Sequence, residues 1–145
     1  MLNSIFFLTG SKKDFIYHFP GDALQAQAQR VWQELISYEW SLLFMALAIG
    51  GIGAFIYYGP FNNQPGRHYK IKYWGLIGLI TIVINFLLTW FIEWIGIHPY
   101  LGSRVLGTYL MGALSNTIYC AGAYLLVSYI YCNWLNTNAY RFLKI

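Results

Sequence analysis

Between Tyr73 and Ile97 the chain is built of Trp, Ile, Leu, Val, Phe and Gly, interrupted by Thr81, Asn85, Thr89 and Glu93 at four-residue spacing. A helix needs ~20 predominantly apolar residues to cross a bilayer, and this run supplies them. Steps of four advance by ~400° around a helix, so the four polar residues share one slowly drifting line. Polar groups at bilayer depth are costly unless another helix or water satisfies them. The ladder therefore predicts a helix that has a partner or lines a wet path.

The rest of the chain fits a membrane protein. Charged residues make up 10% of the 145 and hydrophobic residues 58%, against ~25% charged in an ordinary soluble domain. The expected fold class is all-α: a polytopic membrane protein with three transmembrane helices and an N-terminal amphipathic helix. The first domain is residues 1–39, a polar head carrying that helix. The second is residues 40–135, a three-helix membrane domain with spans near 40–58, 73–97 and 105–135. Residues 136–145 form a short tail. The opening residues lack the basic flank and long apolar core of a signal peptide, so the chain is expected to be used as made.

Local signals place the boundaries. Phe19-Pro20-Gly21-Asp22 reads as a helix start, with Asp22 as the cap. From Ala23 to Glu39 the apolar residues Leu24, Ala28, Val31, Trp32, Leu35 and Ile36 fall at helical spacing. Such a stretch either lies on the membrane interface or extends the first span and packs on a neighbour. Gly59-Pro60 with Asn62, Asn63, Pro65 and Gly66 marks a loop. His98-Pro99 is expected to end the second span, because proline disfavours helix at the residue before it. Trp and Tyr gather at the predicted span ends, as amphipathic rings do at headgroup depth.

Small residues mark where helices approach closely. Ala46, Gly50 and Ala54 stand four apart, with Gly53 beside them, and Ala113, Thr117 and Ala121 repeat the spacing beside Gly112. These positions are the candidate packing faces. Ser115 and Asn116 are the expected partners of Asn85, which makes Asn85→Leu the substitution expected to disturb assembly. The ladder with Ser115 and Asn116 is also the candidate pore lining.

Orientation follows from the basic residues. Arg67, Lys70, Lys72, Arg141 and Lys144 fall on one side of a three-span topology, against Arg30 and Arg104 close to the spans on the other. The positive-inside bias puts the first loop and the C-terminus in the cytoplasm and the N-terminus outside. The bacterial inner membrane is the expected location, with the mitochondrial inner membrane as the alternative.

Glu93 is the one acid inside a predicted span, able to reach headgroup water or to pair with Arg104. An intramembrane acid is a functional candidate by default. His18, His68 and His98 all lie outside mid-span, which argues against axial haem ligation. Cys120 and Cys132 are separated by ~18 Å of helix, so they cannot bridge within one helix. No metal-ligand spacing, phosphate loop or nucleophile motif occurs. No catalytic residue, cofactor or metal is therefore expected. The scattered basic residues give no nucleic-acid footprint. The expected function is a non-enzymatic membrane subunit of a larger secretion or energy-transducing complex. Its partners would be the lipid bilayer and other membrane subunits or copies of itself. The alternative is a homo-oligomeric channel or pore-forming effector lined by Thr81, Asn85, Thr89 and Glu93.

Overall fold

The computed structural model describes residues 11–62, 70–135 and 143. Among them every regular element is helical: α1 (Lys12–Tyr17), α2 (Asp22–Tyr58), α3 (Ile71–Leu101) and α4 (Leu106–Trp134), with single 3-10 turns at Pro60–Asn62 and Gly102–Val105. Two helical stretches, Asp22–Asn62 and Ile71–Trp134, are long and apolar enough to cross a membrane. Arg67, His68, Arg141 and Lys144 lie outside the described residues.

The helix ends differ from the expected ones in instructive ways. Asp22 is not the cap of α2 but its first helical residue. The chain enters through Gly21 at φ +87, a conformation that suits glycine. The Gly21 carbonyl accepts from Gln25 N at 3.1 Å, and the Gln25 side chain donates to the Phe19 carbonyl at 3.2 Å. Asp22 still stands in the first turn, where the helix dipole favours an acid. α1 carries a side-chain cap: Ser11 Oγ accepts from Asp14 N at 3.2 Å and donates to Asp14 Oδ2 at 2.6 Å.

The amphipathic stretch 23–39 is not a separate helix. It continues into the first apolar run as one α2 of 37 residues. Its apolar stripe packs on other helices: Ala28, Val31 and Leu35 share a buried cluster with Phe19, Ile97, Leu101, Val105 and Tyr109. Pro99 does not end α3. It sits inside the last turn, and the helix runs on to Leu101. A proline so near the end removes one backbone bond where few remain to lose. The break comes at Gly102, at φ +56.

The chain divides into two compact units. The first holds the described residues up to Phe44 together with Phe86–Asn116. In it α2 and α3 run antiparallel, with Tyr38 against Gly96. α3 and α4 also run antiparallel, with Thr89 bonded to Asn116 and Glu93 against Gly112. Phe15 of α1 packs on Phe19 and Trp32, with ring centroids 5.6 Å apart in both pairs.

The second unit holds the described residues of Met45–Asn85 and those from Thr117 onward. Here glycines set the helix approach. A Cβ on Gly50 would strike the Cys120 carbonyl oxygen and come within 2.9 Å of Ala123 Cβ. A Cβ on Gly53 would strike Thr81. α2 thus meets α4 through one glycine and α3 through the other. An aromatic group closes this unit: Tyr58 stacks on Tyr131 at 5.0 Å and 4°, and the Tyr58 hydroxyl lies 3.3 Å from Cys132 Sγ.

Candidate functional site

Burial in α3 recurs every fourth residue. Thr81, Asn85, Thr89, Glu93, Ile97 and Leu101 are all buried, while Leu79, Val83, Leu87, Phe91 and Ile95 on the opposite side are exposed. The polar ladder is therefore the inward face of the helix. Ser115, Asn116 and Ser128 of α4 are likewise buried, and Leu110, Leu114, Ile118 and Leu126 are exposed. On α3 and α4, then, the polar side chains face inward and large apolar ones face outward.

In the second unit the polar side chains are mostly satisfied. Thr81 Oγ1 donates to the Ile77 carbonyl at 2.8 Å. Trp74 Nε1 donates to Ser128 Oγ at 3.0 Å, and the Tyr124 hydroxyl donates to the Trp74 carbonyl at 2.7 Å. Gly78 gives the Tyr124 ring its space: a Cβ there would lie 3.0 Å from Tyr124 Cε1. Asn62 Nδ2 donates to the Tyr57 carbonyl. The Tyr57 hydroxyl, Asn62 Oδ1 and Asn85 are the exceptions, and of these only Asn85 lacks a partner on both its polar atoms. It is fully buried, and neither its carboxamide nitrogen nor its oxygen has a hydrogen-bond partner. Ser115 and Asn116, expected to bond it, make other bonds: Ser115 Oγ donates to the Met111 carbonyl and Asn116 Nδ2 to Thr89 Oγ1, both at 2.8 Å.

In the first unit the central polar residue is Glu93. Its side chain is 0% exposed, and both carboxylate oxygens are buried with no hydrogen-bond donor among the described residues. Gly112 of α4 makes room for it, since a Cβ there would lie 2.7 Å from Oε2 and 2.8 Å from Cδ. One turn away along both helices is the Thr89–Asn116 bond, which leaves Asn116 Oδ1 buried and unpartnered. Trp90 Nε1 is also buried without a partner. The expected alternatives for Glu93 are not realised. Arg104 is exposed and forms no ion pair with it, and the carboxylate does not reach the surface. His98 points outward and packs on Trp94 at 5.2 Å, so it is no proton partner for the buried acid.

The other candidate positions fall as follows. Ala46, Gly50, Gly53, Ala54, Gly112 and Ala113 are buried, and Thr117 and Ala121 are half-buried. Cys120 and Cys132 are free and buried. Among the described residues no cluster of His, Cys, Asp and Glu is arranged to hold a metal. Sequence reasoning missed Trp74, Gly78, Tyr124 and Ser128. A signal was present, because Gly78 shares a helix face with Thr81 at three-residue spacing, and Tyr124 and Ser128 continue the four-residue step from Asn116 and Cys120.

No protein-family model, curated protein or solved structure matches the chain.

Proposed function

We propose that this chain is a non-enzymatic integral membrane subunit that crosses the bilayer three times and works within a larger membrane complex of the secretion or energy-transducing kind. The observation that carries the membrane reading is the inverted distribution of polarity. Asn85, Thr89, Glu93, Ser115, Asn116 and Ser128 are all fully buried, while Phe44, Ile52, Leu79, Phe91, Ile118 and Leu126 stand exposed. Water would penalise that surface, and a lipid solvent accepts it.

Helix length and the break at Gly102 support three crossings. The stretch Ile71–Trp134 holds 64 residues, or ~96 Å of helix at 1.5 Å per residue, about three times the ~30 Å of the hydrocarbon core. It is broken once, at Gly102, and so supplies two crossings. α2 supplies the third. The excess of basic residues beside the first loop and in the tail supports a cytoplasmic placement of both, with the N-terminal side outside. We place the chain in the bacterial inner membrane, with the mitochondrial inner membrane as the alternative.

Two features support a subunit over a ring of copies with the ladder in its lumen. The ladder faces inward within a single chain, so copies could line a pore with it only by repacking. Gly75, Gly107 and Gly122 are exposed, with open space where a Cβ would stand. These notches admit the close approach of other helices. The test is the native mass of affinity-purified protein in mild detergent, with identification of whatever accompanies it. A reproducible set of different proteins supports the subunit reading. Several copies of this chain alone, conducting ions in liposomes, would replace it with the channel.

A further inference from the structure

Glu93 presents a problem that the subunit role does not use. A carboxylate at bilayer depth costs several kcal/mol unless a cation or hydrogen-bond donors accompany it. Among the described residues no Lys, Arg or His reaches it, and no donor meets either oxygen. The site is nevertheless built. Gly112 leaves the space the carboxyl fills, and the neighbouring Asn116 offers a buried oxygen that also lacks a partner. A buried carboxyl without a countercharge suits a small positive occupant. A metal ion needs several oxygens at once, whereas a proton needs one, and Glu93 supplies that one by itself.

We infer that Glu93 is a reversible proton-binding site, loaded through a cleft at the end of its own unit. That cleft, about 390 Å³, is bounded by Asp14 of α1, by His18 just after it, and by Arg104, Thr108 and Met111. It reaches α4 one helical turn before Gly112, on the side where Thr108 and Gly112 align. The titratable and charged groups around Glu93 are few. Tyr109 of α4 lies within its electrostatic reach. From α2, Tyr38 packs on Gly96, three residues along α3, and Glu39 is buried in the same unit. Asp14, His18 and Arg104 stand in the cleft. The proton comes from water, rests on one Glu93 oxygen, and returns to water by the same route.

The inference rests on the membrane reading for the depth of the site, so the two are tested separately on one preparation. Resistance of the full-length protein to alkaline extraction from vesicles tests the membrane reading alone. Dicyclohexylcarbodiimide, which adds to protonated carboxyls in apolar surroundings, tests the site, with the adduct mapped by mass spectrometry. The expected result is an adduct on Glu93 that forms faster in acidic than in alkaline buffer, that Na⁺ does not suppress, and that Glu93→Gln abolishes. Because that variant could fail to fold, infrared difference spectra of the unmodified protein across the same buffers give a second reading, with a carboxylic C=O band expected to appear on acidification. Thr108→Phe, which plugs the cleft, is expected to slow the rise of that band severalfold after a pH jump. Absence of both adduct and band would overturn the proton site. Suppression by Na⁺ at constant pH would replace the proton with a metal ion. An unchanged rate in Thr108→Phe would overturn the route.

Discussion

Gly50 and Gly51 are neighbours in the interior of α2, yet the structure assigns them opposite responses to the same substitution. A Cβ on Gly50 meets backbone: it would strike the Cys120 carbonyl oxygen and come within 3.1 Å of Tyr124 N. Backbone cannot rotate aside, so α2 and α4 must separate locally. A Cβ on Gly51 meets only Val127 Cγ2, at 3.8 Å, an ordinary contact. Both substitutions gain the same helix propensity, about 1 kcal/mol for Gly→Ala. Comparing Gly50→Ala with Gly51→Ala cancels that gain and leaves the overpacking, about 1–3 kcal/mol. At about 2–4 °C per kcal/mol for a chain near this size, the two variants should melt roughly 2–12 °C apart, with Gly50→Ala the lower. The buried thiols of Cys120 and Cys132 supply the assay, since a thiol-reactive fluorogenic dye reports their exposure on heating. Reading Cys132 separately, by mass spectrometry, guards against a local opening at Cys120. Equal melting of the two variants, or a more stable Gly50→Ala, would refute the claim that α2 and α4 touch through this glycine.

Other expectations follow from the polar side chains. Thr89→Val and Asn116→Leu should each destabilise the protein, and a double-mutant cycle should return a coupling of about 0.6–2 kcal/mol for their hydrogen bond; additivity would deny the bond. Tyr124→Phe should cost about 1 kcal/mol through loss of the bond to the Trp74 carbonyl, seen as a lower melting temperature. Asn85→Leu should leave stability unchanged or raise it, because it removes a buried amide that has no partner; a fall in melting temperature would mean that Asn85 is bonded after all. Glu93→Gln should leave the native mass of the purified assembly unchanged, and dissociation in a native gel would show that the carboxyl holds the assembly together.

These expectations also measure what could be read from the residues. A four-residue polar spacing inside an apolar run specifies a face, and the face of α3 is where the spacing puts it. Which helix covers that face is not a local property. Asn85, Ser115 and Asn116 were plausible mates by depth, but Asn116 lies opposite Thr89, and register of that kind is set by the whole α3–α4 contact. The glycines show the same limit: their clustering signals close approach, while the division of Gly50 toward α4 and Gly53 toward α3 depends on where both neighbours stand. Helix ends were misread where context outweighs a local breaker. Pro99 costs little in a last turn, and α2 needs no boundary at Glu39 because its apolar stripe continues from Ala28 to Tyr58 at nearly constant spacing. The inward course of Glu93 was the least legible feature, since a carboxyl near Trp90 and Trp94 reads as interfacial until Gly112 is seen to receive it.

The short connection between α3 and α4 bears on how such a chain is made. Only the four residues Gly102–Val105 separate the two helices. On the three-span reading, α3 arrives at the insertion machinery carrying an asparagine and a glutamate, a poor passenger for lipid by itself. The 29 residues of α4 follow within ~1.5–6 s at ordinary synthesis rates of ~5–20 residues per second. The two segments are thus delivered as a hairpin, and Gly112 and Asn116 reach Glu93 and Thr89 before either helix has to settle among acyl chains. Lengthening that connection would stretch the interval during which α3 waits uncovered. The yield of correctly inserted protein should then fall with linker length, even though the finished fold would tolerate the extra residues.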